Sequence, residues 1–67
     1  MQIRILTWQA RTNKNITLIQ LAKMTGISKS TLNNIENGKV SPTLRQLELI
    51  AQALGMKISE LYDSRYK

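Results

Sequence analysis

Apolar positions recur at helical spacing in short bursts, each closed by a residue that breaks a helix. Ile3, Leu6, Thr7 and Ala10 share one face, which predicts a first helix over about residues 3–13. Asn15, a residue that tolerates left-handed backbone, ends it. Thr17-x-x-Gln20 is a capping box, and Ile16 and Leu21 can staple around it, so a second helix starts there and stops at Gly26. Ser28 caps a third helix, stapled by Ile27 and Leu32 and closed by Gly38. The residue before Pro42 is pushed out of the helical region, so "VSP" is an extended connection. Thr43-x-x-Gln46 opens a fourth helix with the apolar stripe Leu44, Leu47, Ala51 and Leu54, ended by Gly55. A fifth helix spans about Ile58 to Tyr62, before a charged tail. Nothing has the alternation of a strand. The expected fold is all-α, five short helices in a single domain over residues 1–67.

Only three residues separate helices 2 and 3, which forces a steep crossing of the helix-turn-helix kind, over residues 17–37. Ala22 lets the helices approach, Gly26 makes the turn, and Leu32 and Ile35 face inward. Helix 3 then holds an oddity. Its amides and hydroxyls are mediocre helix formers. Projected at roughly 100° per residue, Thr31, Leu32 and Ile35 cluster on the core side. Lys29, Ser30, Asn33, Asn34 and Asn37 fill the opposite arc of roughly 140°. Such side chains suit base edges in the major groove: Lys for guanine, Asn for adenine, Ser for either.

Charge sharpens this picture. Ten Lys and Arg face four acids, for a net +6, and residues 1–35 hold five basic residues and no acid. A small domain this basic favours a polyanionic partner, most often nucleic acid. Cys and His are both absent. Disulfides and Cys-based metal sites are therefore excluded, together with the commonest metal ligand and general base. No catalytic pair assembles from four scattered acids, so no enzyme and no cofactor are expected. No apolar run reaches the roughly 20 residues of a membrane span. The N-terminus lacks the apolar core and cleavage site of a targeting peptide, so a cytoplasmic location is expected.

Residues 16–38, "ITLIQLAKMTGISKSTLNNIENG", resemble the helix-turn-helix of Cro/repressor-type (XRE-like) bacterial and phage transcription regulators. Leu21, Ala22, Gly26, Ile27, Ser28, Leu32, Ile35, Glu36, Asn37 and Gly38 fall in step with that family's pattern, and the likeness continues through Pro42 and "ALGMKISEL". The resemblance implies a lambda-repressor-like fold and a sequence-specific DNA-binding regulator, most naturally a repressor. It places base contacts at Lys29, Ser30, Asn33 and Asn34. Phosphate contacts would flank them at Lys14, Thr17, Asn37, Lys39, Thr43 and Arg45. It also implies a partly buried ion pair between Arg11 and Glu36. Leu18 stands where the family usually has a phosphate-contacting Gln, and Met24 and Thr25 exchange the usual polar-then-apolar order. The alternative is an antitoxin or regulatory protein-interaction module on the same fold.

Two further expectations concern partners. Double-stranded DNA is best read by a homodimer on paired half-sites, and the resemblance implies that the segment from Leu54 to Tyr66 makes the contact between copies. Ile5 and Trp8 lie opposite Ile3 and Ala10 on helix 1, where Leu61, Tyr62 and Tyr66 would cover them; the other possibility is a partner surface.

Overall fold

The computed structural model describes residues 3–67. Met1 and Gln2, part of the N-terminal stretch weighed above as a leader, lie outside the described residues. In chain order the elements are β1 (Arg4–Ile5), α1 (Thr7–Asn13), α2 (Leu18–Thr25), α3 (Lys29–Glu36), α4 (Leu44–Leu54), a 3-10 turn (Ile58–Glu60) and β2 (Tyr62–Asp63).

Three of these helices begin as their caps dictate. The Thr17 and Thr43 hydroxyls accept from the N–H groups of Gln20 and Gln46 at 3.1 and 3.0 Å. Each Gln side chain returns the bond to its cap's N–H, at 2.8 and 2.9 Å. Ser28 caps α3 by accepting from Thr31 N–H at 3.1 Å. Orphan donors at three helix starts are thereby satisfied by residues within one turn.

The core gathers Ala10 from α1, Leu21 from α2, Leu32 from α3, Leu47, Ile50, Ala51 and Leu54 from α4, and Leu61. Leu21, Ile50 and Leu61 are wholly buried. Among the described residues, no helix is long and apolar enough to cross a membrane.

The architecture is helical, but both ends of the chain differ from expectation. Residues 3–6 are not helical. Arg4 and Ile5 pair antiparallel with Asp63 and Tyr62, and Leu6 N–H donates to Leu61 O at 2.8 Å. Leu6 offers no side-chain cap, so α1 starts only at Thr7, whose apolar neighbours upstream are free to extend. β-Branched Ile5 suits that extended pairing better than a helix terminus. The same pairing leaves the fifth helix as a single 3-10 turn, because Tyr62 and Asp63 belong to β2. Among the described residues, four α-helices form instead of five.

Helix 4 also turns differently. Leu44 is 75% exposed and Ile50 takes its place in the core. Leu44 is the first residue of α4, one turn beyond where the helix meets its neighbours. It lines an open groove with Ile3, Ile5, Pro42 and Tyr62. Trp8, expected under the tail, is 53% exposed, because Tyr62 pairs with Ile5 in the ladder and Tyr66 projects into solvent. Leu54 and Leu61, both within the segment expected to join two copies, are committed to their own core.

Candidate nucleic-acid interface

The unit α2–turn–α3 is held by residues of three kinds. Gly26 adopts φ 75°, a left-handed conformation in which a side chain is strained, and its N–H closes α2 on Ala22 O at 2.9 Å. Thr25 sits under the turn, buried. Its hydroxyl donates to Leu21 O at 2.8 Å and accepts from Ile27 N–H at 3.1 Å. One side chain thus joins the end of α2 to the first extended residue of the turn. Met24 is correspondingly outside, 51% exposed. The exchange of polar and apolar residues at these two positions is therefore a change of packing: a hydrogen-bonding residue takes the inner place. A β-branched hydroxyl directly before a turn glycine was the available signal.

On the inner side of α3, Leu32 and Ile35 are each only 1% exposed. At its C-terminal end, Glu36 receives both arms of the Arg11 guanidinium, Nε to Oε2 at 2.8 Å and Nη2 to Oε1 at 3.0 Å. The third arm, Nη1, donates to Ile16 O at 2.9 Å. The side chains are 12% and 4% exposed. This fork ties α1 and the α1–α2 connection to α3. The hydrogen bonding of Arg11 to the Glu36 carboxylate raises the Arg11 pKa, burial opposes it, and the Glu36 charge adds a smaller lift. The only acid on α3 is thereby neutralised inside the protein.

The outer side of α3 is left without a partner. Lys29, Ser30 and Asn33 are exposed, and side-chain hydrogen bonds around α3 are confined to Ser28, Thr31 and Glu36 among the described residues. Asn34 differs from its neighbours. It is half-buried, and its carbonyl accepts from Lys39 N–H at 2.9 Å and Val40 N–H at 3.4 Å, folding the following loop back onto the helix. The loop is thus set by backbone, while the exposed Lys39 side chain has no hydrogen-bond or ion-pair partner among the described residues.

The flanking positions lie on three separate elements. Lys14 caps the C-terminus of α1 and Thr17 the N-terminus of α2, both exposed. Asn37 and Lys39 follow α3, and Thr43 opens α4. Arg45 is bound at 2.6 Å by Glu48, but both are exposed and so short-range a surface pair is weak. Leu18 is half-buried against the core and offers no polar group, while Gln20 is engaged in the cap. No acid occupies the first turn of α2, α3 or α4, so each positive helix terminus stays unneutralised. Helix N-termini and basic side chains around an acid-free polar face form an arrangement that receives a polyanion.

Comparison with known proteins agrees with this geometry. A family model described as helix-turn-helix matches residues 9–61. The chain is 37% identical over 51 residues to an immunity repressor protein of Bacillus phage phi105, an alignment covering 76% of this chain and 35% of that protein. The chain therefore spans about a third of the phage protein's length. It is 40% identical over 48 residues to an uncharacterized HTH-type transcriptional regulator of Methanocaldococcus jannaschii, covering 72% of this chain and 73% of that one.

Proposed function

Because this chain belongs to the helix-turn-helix family, we propose that it is a DNA-binding transcriptional regulator that lays α3 in the major groove and acts as a repressor. The observation that carries this reading is the exposed, acid-free face of Lys29, Ser30 and Asn33, presented by a helix whose only carboxylate is neutralised by Arg11. Lys29, Ser30 and Asn33 meet base edges. Asn34, half-buried, reaches the duplex only at its rim. Lys14, Thr17, Asn37, Lys39, Thr43 and Arg45 hold the flanking phosphates, which fix register and carry no sequence information. The protein performs no chemistry; it represses by occupying a site in the cytoplasm.

Two copies on one site complete the reading, since a single α3 spans too few base pairs for useful specificity. Their contact draws on the apolar groove of Ile3, Ile5, Leu44 and Tyr62 rather than on Leu54 and Leu61, which are buried. Selection of bound duplexes from a random pool, followed by footprinting, tests the proposal. A symmetric enriched site protected over two half-sites is expected. Recovery of random sequence would refute sequence-specific regulation.

The half-exposed Trp8 favours a second role as a protein-interaction module, such as an antitoxin. In that case substitutions at Trp8 would abolish regulation while leaving the selected site bound with wild-type affinity.

A further inference from the structure

The side chains on the outer face of α3 are chemically narrow, and the narrowness restricts what they can recognise. Lys29 carries three donors and no acceptor. Among the edges displayed in the major groove, only guanine offers two adjacent acceptors, O6 and N7. Asn33 carries one acceptor and a donor pair in a plane, which matches N6 and N7 of adenine. The remaining edges lack their best-matched readers. Cytosine presents a donor best met by a carboxylate, and the thymine methyl needs an apolar contact. Lys29, Ser30, Asn33 and Asn37 include neither, and the sole carboxylate of α3, Glu36, is held by Arg11 at 2.8 Å. Both candidate readers are exposed, and neither has an intramolecular partner to break among the described residues.

Spacing sets the reach. Lys29 and Asn33 are four residues apart on one face, about 6 Å along the helix axis. Base pairs rise about 3.4 Å each, so the two side chains address bases no more than about two steps apart. From this we infer that the protein reads each half-site through the N7 edges of two purines, a guanine met by Lys29 and an adenine met by Asn33, one or two base pairs apart. Ser30, which donates and accepts, adds no strict preference. The inference rests on the DNA-binding reading above and deepens it by naming the atoms recognised.

The test uses the full chain and a duplex taken from the selection. Each purine is replaced singly by its 7-deaza analogue, which keeps Watson–Crick pairing and removes only the N7 acceptor. Affinity should fall roughly fivefold to tenfold at one guanine and one adenine within two base pairs of each other, the loss of one hydrogen bond with its donor left unpaired. The guanine effect should vanish in Lys29→Ala and the adenine effect in Asn33→Ala. Both variants alter exposed positions, and their thermal melts should match wild type. Sequence-selective binding that no 7-deazapurine weakens would overturn the inference while leaving the DNA-binding reading intact. So would deaza effects that persist unchanged in both variants. If no duplex is preferred over random sequence, the parent reading fails first, and a saturable wild-type titration distinguishes that case.

Discussion

Removing the Glu36 carboxylate, whose side chain is only 4% exposed, should strongly destabilise this protein. In Glu36→Ala, the Arg11 guanidinium keeps only its bond to Ile16 O and loses both carboxylate contacts, at 2.8 and 3.0 Å. Breaking one side of a buried pair costs about 3–5 kcal/mol. Arg11 is 12% exposed and retains one acceptor, so the lower end, about 3 kcal/mol, is expected. Native domains hold roughly 0.05–0.15 kcal/mol per residue, so this is a large share of the total for so short a chain. At about 4–8 °C per kcal/mol, the melting temperature should fall by more than about 10 °C. Deprotonating Arg11 cannot substitute for the mutation. The folded Arg11 pKa is raised, so its contribution is fully present below the unfolded value and lost only at pH beyond the range of ordinary assays. Urea unfolding of Arg11→Met, Glu36→Leu and the double variant gives the coupling. The double variant should recover much of the loss, because an apolar pair of similar volume is often neutral. Coupling indistinguishable from zero would refute the clamp.

Two buried threonines should respond in opposite directions. Thr25→Val strands Ile27 N–H and should cost about 1–3 kcal/mol, whereas Thr7→Val should be neutral or stabilising, since the buried Thr7 hydroxyl has no partner among the described residues. Equal losses in thermal melts would contradict the role given to the Thr25 hydroxyl. Lys39→Ala should weaken binding to all duplexes alike and reduce the salt slope by about one; a changed base preference would remove Lys39 from the phosphate contacts. Leu44→Lys should leave stability within about 0.5 kcal/mol, because the side chain is 75% exposed, yet lower the occupancy of a two-half-site duplex relative to a single half-site. Unchanged stoichiometry by sedimentation would place the contact between copies elsewhere.

What the sequence disclosed depended on the range of the interaction involved. The caps of Thr17, Ser28 and Thr43 and the left-handed Gly26 act within a few residues, so local pattern was sufficient to locate α2, α3 and α4. The start of α1 was not legible, because Arg4 and Ile5 take their hydrogen bonds from Asp63 and Tyr62 at the far end of the chain. Periodicity also cannot tell how far a helix runs past its neighbours, so Leu44 satisfied the stripe of α4 and still points to solvent. The outward arc of α3 was readable from side-chain chemistry, with one exception. Asn34 lies on that arc by angle, but the loop folded onto its carbonyl partly covers it.

The dependence of affinity on salt, measured on a selected duplex and on a random one, tests the central claim most directly. Roughly 4–6 phosphate contacts predict a slope of log K against log salt of about −4 to −5 on the selected site. The selected duplex should also stay tighter than the random one at every salt concentration, since base contacts add to the phosphate term. A slope near zero would contradict nucleic-acid binding itself, and parallel curves of equal affinity would contradict sequence recognition by α3.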